Sequence, residues 1–258
     1  MNMNDVQQTL FFPLMGRADA ARRWPDLFPD PWAEHAMGIR EAEGSAAQQL
    51  GAFPSAVYGL RHLLTIREIN AYLKDHPGAA VVNIGCGLDR VVHEIADADS
   101  LVYNVDFPEV IETRERWIEP HEREIALPYS ATDHRWMDQV DAGKGLVAIA
   151  AGVFYYFEVE EVKALVREMG ARFPGSRLCY DAESPRVTAG SEILHRHAPF
   201  VRVHQLYEEI SGRCTSEGTL AKGSHAGKII GAAQPRADRV RQVRDGWNLH
   251  VCDLGKDM

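Results

Sequence analysis

The spacing of apolar positions changes period along the chain, and each change marks an element. Up to residue 75 the apolar residues recur at helical spacing. Residues 9–15 are apolar and residues 20–24 continue in helical composition, while Pro25, Pro29, Pro31 and Pro54 are expected to break this part into short helices and turns. Residues 58–73 form the clearest helix, with Leu60, Leu63, Leu64, Ile66, Ile69 and Leu73 on one broad face. From residue 79 the pattern becomes short apolar runs separated by amphipathic stretches. Residues 79–84, 101–105, 128–133, 146–150 and 177–182 read as strands, the first and fourth apolar enough to be buried on both faces. Helices are expected over 88–96, from Phe107 through the charged ETRERWIE stretch, and over 158–169. This alternation predicts an α/β fold, a doubly wound and mostly parallel sheet. Residues 1–75 then form a helical cap over its mouth and residues 76–258 the sheet domain. Beyond Ser184 the pattern weakens, with residues 226–232 and 247–254 as candidate closing strands.

The chemistry gathers where the first strand ends. Gly85-Cys86-Gly87 follows it at once, a place where the chain turns sharply and lets a ligand approach the backbone. The second strand runs into Asp106, 21 residues beyond Gly85, a spacing that suits a carboxylate accepting from ribose hydroxyls. A nucleoside-containing cofactor is therefore expected at the carboxyl ends of the first two strands. A dinucleotide asks for a third glycine at position 90, where Arg90 stands, and that disfavours an NAD-dependent dehydrogenase. S-adenosylmethionine carries no phosphate and has no such requirement. Asp133 ends the third strand candidate, either beside the crevice or as a helix cap. Arg61 and Arg67, on or beside the apolar face of 58–73, either snorkel to solvent or reach over the glycine turn to pair with a carboxylate.

Composition narrows the class. Of 258 residues, 45% are hydrophobic and 25% charged, as in a soluble globular protein with a sizeable core. A formal charge of −9 argues against a nucleic-acid partner, and the short basic stretch 236–244 reads as a solvated helix face. The longest apolar stretch, 146–157, is 12 residues, too short to span a bilayer. The first ten residues lack the basic and apolar regions of a signal peptide. Cys86, Cys179, Cys214 and Cys252 are scattered, with no zinc or redox spacing, so no metal is expected and a reducing cytoplasm is.

Four stretches together carry a resemblance: QQTLFFPLMGRA at 7–18, VVNIGCGLDR at 81–90, NVDFPEV at 104–110 and AAGVFYYFEVEEVKAL at 150–165. In these the chain resembles the leucine carboxyl methyltransferase family, in particular its bacterial and polyketide O-methyltransferases of the tetracenomycin type. The resemblance implies a class I S-adenosylmethionine fold and methyl transfer to an oxygen, usually of a carboxylate, on a small-molecule or polyketide-like acceptor. It implies that Gly85, Cys86 and Gly87 line the methionine part of the donor and that Asp106, with Phe107 behind it, holds the ribose. Asp133 and His134 would flank the adenine, and Arg61, with Arg67 as second choice, would grip the donor's carboxylate. Two positions depart from the family pattern. Arg90-Val91 follows Gly-Leu-Asp where Thr-Arg is usual, and Ala151 stands beside the donor where Glu is usual. These departures raise an alternative, a catalytically impaired donor-binding or scaffold protein of the same fold.

A carboxylate acceptor, ionised at neutral pH, needs no general base, whereas a phenol does. No His–Asp pair is visible at the expected site, which favours the carboxylate. Tyr155 and Tyr156 are the candidates for orienting the acceptor, with aromatic packing under the cap as the alternative reading. His195, His197 and His204 lie where acceptor contacts could arise, but a histidine there is more often a surface residue, and none is named catalytic.

Overall fold

The computed structural model describes residues 3–42, 50–183 and 247–254. Six strands form one sheet: β1 (Ala80–Ile84), β2 (Val102–Asp106), β3 (Glu124–Pro128), β4 (Leu146–Ala150), β5 (Arg177–Glu183) and β6 (Trp247–Asp253). Their order is β3-β2-β1-β4-β5-β6, with the first five parallel and β6 antiparallel to β5. The chain therefore starts in the middle, winds outward through β2 and β3, then returns to β4 and winds the other way. In such a sheet the crevice for ligands lies at the carboxyl ends of the strands, where β1 and β4 diverge. Every residue of β1 and β4 is buried, because both faces of the sheet are covered.

Side-chain alternation sends the two halves of each strand to different layers. On one face Val82, Ile84, Val105 and Ala148 pack against α5 (Val159–Arg172) through Val162, Leu165 and Met169, with Trp136 filling the layer. On the other, Val81, Val102, Val147, Ile149 and Cys179 meet Ile69, Tyr72 and Leu73 of α3 (Ala52–Asp75). The helix α5 opens with a reciprocal capping box between Glu158 and Glu161.

Three helices precede the sheet: α1 (Met3–Arg23), α2 (Pro31–Ala42) and α3. They are longer than the prolines imply. Pro25 and Pro29 lie between α1 and α2, while Pro31 and Pro54 sit in first turns, where a missing N–H costs nothing. The first half of α3 packs on α1 around Ala20, Trp24, Phe28, Leu60 and Leu64, and its last turns belong to the sheet layer. One helix thus serves both the roof and the core.

Two expected elements are corrected. The stretch 88–96 has helical spacing but forms only a 3-10 turn, Val91–His93. Its carbonyls are occupied from elsewhere: Trp32 Nε1 donates to Leu88 O at 2.9 Å, Asn70 Nδ2 to Glu94 O at 3.1 Å and Arg123 to Val92 O at 3.2 Å, while Arg114 binds Asp89 O. These donors from other elements hold the stretch in an irregular course, with Ile95 N to Val91 O at 3.2 Å as a single α-type bond after the 3-10 turn. The third strand ends at Pro128 rather than beginning there. As the sheet edge it is half exposed and reads as polar, and proline closes an edge strand readily. The helix after β2 is α4 (Pro108–Trp117). The closing strand expected at 247–254 is present as β6; the candidate strand 226–232, the basic stretch 236–244 and His195, His197 and His204 lie outside the described residues. Among the described residues no helix is long and apolar enough to cross a membrane, and no cluster of three metal-type ligands occurs.

Candidate active site

The turn after β1 is built by backbone constraints. Gly85 and Gly87 adopt φ of 65° and 46°, a region that side chains disfavour. A Cβ on Gly85 would lie 2.4 Å from Val153 Cγ2, so the loops after β1 and β4 touch through this glycine. Gly85 N donates to Val105 O at 2.7 Å, which draws the turn against β2. Asp106 then clasps it: Oδ2 accepts from Gly87 N at 2.9 Å and Oδ1 from Phe107 N at 2.8 Å. Burial pushes the Asp106 carboxyl above its ordinary range, and those two N–H groups and Arg114 offset only part of that. Arg114, buried on α4, donates to Gly87 O at 3.2 Å and pairs with Glu124 at 2.7 Å, pinning the loop from the far side.

Above this turn lies a cavity of about 1040 Å³. Its floor is Gly85, Cys86, Gly87 and Asp106, its roof is Tyr58, Arg61, His62 and Thr65 of α3, and α1 closes one side with Leu10, Pro13 and Leu14. Of the residues expected at the site, Arg61, Gly85, Cys86, Gly87, Asp106, Phe107, Ala151 and Tyr156 all line it. Arg67 is exposed and does not line it, so of the two arginines Arg61 is the one that overhangs the turn. Phe107 and Tyr156, 48% and 64% exposed, stand as two aromatic rings at the mouth. The Cys86 thiol is buried, and burial, with Asp106 nearby, pushes its pKa well up. It serves as a small apolar wall rather than a nucleophile.

Three expected residues lie elsewhere. Asp133 caps the 3-10 helix His134–Gln139 and pairs with Arg135, at 2.5 Å from Nη2, which holds its carboxyl down at about 2. Neither it nor His134 lines the cavity; Ala131, pinned by Trp136 Nε1 at 3.0 Å, is the residue that this loop contributes. Tyr155 is buried behind the wall and donates to Asp181 Oδ2 at 3.1 Å, while its neighbour Tyr156 faces the opening. Arg90 also turns away from the cavity, over the Trp32 ring at 5.0 Å and against His93 Nε2 at 2.6 Å.

Other residues join the site without having been foreseen. Asp181, fully buried within β5, pairs with Arg61 at 2.8 Å and accepts from Gly152 N at 2.5 Å. His62 Nε2 lies 2.7 Å from Glu94 Oε2 at the cavity wall. Arg17, 3% exposed, is held by Asp30 at 2.5 Å and by Asp89, joining α1 to the loop after β1. One signal was available for Asp181: a carboxylate inside a strand buried on both faces must have a partner.

Comparison with known proteins bears on this geometry. The leucine carboxyl methyltransferase family profile matches residues 12–170 of the chain. The chain is 27% identical over 192 residues to the tetracenomycin polyketide synthesis O-methyltransferase TcmP of Streptomyces glaucescens, covering 72% of this chain and 68% of that one. Among solved structures, a DUF574 family protein from Streptomyces avermitilis superposes with a TM-score of 0.57 at 15% identity, over 91% of this chain and 96% of the other. That likeness speaks for the fold alone, a doubly wound α/β architecture. The matched span includes the glycine turn, Asp106, Arg61 and the loop after β4 that together build the cavity. The chain belongs to the leucine carboxyl methyltransferase family and is a methyltransferase that takes its methyl group from S-adenosylmethionine.

Proposed function

We propose that this methyltransferase transfers the methyl group to an oxygen of a small, polyketide-like acceptor, in first place a carboxylate. The observation that carries the reading is the single continuous cavity of about 1040 Å³ over Gly85 and Asp106. Pockets that hold one drug-sized ligand measure about 300–1,000 Å³, so a cavity at the top of that range has space beside one donor, and that space is walled by Leu10, Pro13, Tyr156 and Phe157. These apolar and aromatic walls suit an aromatic acceptor.

The residues present fit the donor. The side-chain-free floor at Gly85 and Gly87 admits a close approach, and an Asp106 carboxylate already oriented by two N–H groups keeps lone pairs for ribose hydroxyls. Arg61 is placed for the carboxylate of the methionine part, with Ala151 beside it. Phe107 and Ala131 take the adenine side, since Arg135 occupies Asp133. Bound S-adenosylmethionine supplies an electrophilic methyl group. The chain's contribution is to align an acceptor oxygen with it and to exclude water, which is where most of the catalysis of a displacement resides.

A second reading, a hydroxyl acceptor, is favoured by the His62–Glu94 pair at the cavity wall. A histidine oriented by a carboxylate can take the proton that a phenol must lose. Labelled S-adenosylmethionine offered with 1-naphthoic acid and with 1-naphthol separates the two. Transfer to the acid with a rate flat around neutral pH supports the carboxylate reading. Transfer to the naphthol alone, rising with pH and lost in His62→Asn, supports the other. Donor binding with no transfer to any oxygen acceptor defeats both.

A further inference from the structure

Three groups converge on the buried carboxylate of Asp181. Gly152 N donates to Oδ1 at 2.5 Å, the Tyr155 hydroxyl donates to Oδ2 at 3.1 Å, and Arg61 Nη2 lies 2.8 Å from Oδ2. Two of these belong to the loop after β4 and the third to the roof helix α3, so Asp181 joins the two surfaces that face each other across the cavity. The carboxylate itself is 0% exposed and does not line the cavity, whereas Arg61 and Gly152 do. Asp181 therefore meets Arg61 at Nη2 from behind the cavity wall. Gly152 is close as well: a Cβ on it, at φ of 73°, would come within 2.8 Å of Arg61 Nη1. Arginine is a long side chain with many rotamers, and an ion pair at one nitrogen restricts them.

We propose that Asp181 is a positioning residue that aims Arg61 at the carboxylate of the donor's amino-acid tail. This rests on the reading of Arg61 as the residue that meets the donor. Bound to Gly152 N and the Tyr155 hydroxyl, Asp181 also holds the loop after β4, so the direction of Arg61 and the shape of the cavity wall are set by one group.

Calorimetry on the full chain with two probes tests this: S-adenosylmethionine and its decarboxylated form, which lacks only the carboxylate. Asp181→Asn is expected to weaken S-adenosylmethionine about tenfold or more, the scale of one hydrogen bond to a charged group, and to leave the decarboxylated probe unchanged. Tyr155→Phe, which keeps the charge and removes one hydrogen bond to Asp181, moves the same ratio in the same direction by less. In an Arg61→Met background Asp181→Asn has no further effect on S-adenosylmethionine. Equal weakening of both probes, or none, in Asp181→Asn overturns the proposal; should that variant not fold, an unmoved ratio in Tyr155→Phe does so. Equal wild-type affinity for the two probes removes the Arg61 contact and leaves the donor site standing. Wild-type protein that bound neither would take the donor site down as well.

Discussion

In the proposed donor site Asp106 serves binding at a cost to itself. Its carboxyl is buried and pushed above the ordinary range, yet the proposed role needs it ionised, because both oxygens already accept backbone N–H groups and would also accept from ribose hydroxyls. The sign follows from that direction. A free aspartate protonates near ~3.9; Asp106 takes its proton at a higher pH, and in doing so gives up acceptor capacity. Donor affinity is therefore expected to fall on acidification earlier than an ordinary aspartate would allow, and to recover above the raised value. Calorimetry across the acid range reads this directly. Asp106→Asn should lose donor affinity about tenfold or more at neutral pH and abolish that acid limb. A variant whose affinity follows the same pH curve as the wild type would refute the role. Asp106 and the glycines were legible in the sequence because their spacing is local. Asp181 and Glu94 were not, because their partners Arg61 and His62 arrive from the roof helix; Glu94 and His62 stand 32 positions apart.

At the scale of elements, the roof depends on two helices approaching closely. A Cβ on Gly16 of α1 would lie 2.1 Å from the Tyr58 ring of α3, and one on Gly59 would lie 2.8 Å from Ala20 Cβ. Tyr58 lines the cavity and its ring lies 5.2 Å from the Arg61 guanidinium. Gly16→Ala must displace that ring, and overpacking of this kind costs about 1–3 kcal/mol. Thermal unfolding should show a lowered Tm together with weakened donor binding. Gly38→Ala on α2 is the control: nothing lies within 4 Å of its Cβ, so helix propensity alone acts and adds about 0.5–1 kcal/mol. If both changes acted alike, the close approach would not matter. The strands β1, β2, β4 and β5 could be read beforehand because burial on both faces leaves short, mostly apolar runs, unbroken in β4 and interrupted by Asn83, Asn104 and Asp181 in the others. The stretch 88–96 misled because its spacing is helical while its carbonyls are claimed by Trp32, Asn70, Arg114 and Arg123. Local pattern is silent about donors that come from other elements.

For the molecule as a whole, the question is what ties the roof to the sheet. Besides α3, which runs into the sheet layer, and the apolar cluster of Phe11, Leu14 and Met37 with Leu88 and Ile118, the buried Arg17 supplies a polar link: it meets Asp30 just before α2 and Asp89 in the loop after β1, beside the Trp32–Leu88 hydrogen bond. Burial raises the Asp30 carboxyl, but Arg17 outweighs this and the net direction is down. A depressed folded pKa means that the stabilisation is complete above the unfolded value near ~3.9 and is lost as pH falls through the folded one. Asp30→Asn should therefore lower stability by about 1.5–3 kcal/mol at neutral pH, the scale of one hydrogen bond to a charged group, since the buried Arg17 keeps Asp89 as its second partner. The deficit should shrink toward zero in acid, where the wild type loses the same charge. Urea unfolding at a series of pH values gives both quantities. Because the loop that Arg17 holds continues the floor of the proposed donor site, ligand and link would be coupled: saturating S-adenosylmethionine should recover part of the lost stability, by the amount that its binding to the folded state allows. A deficit that persisted unchanged below the unfolded carboxylate value would show that Asp30 acts through its shape and its hydrogen bond to Ala33 rather than through charge.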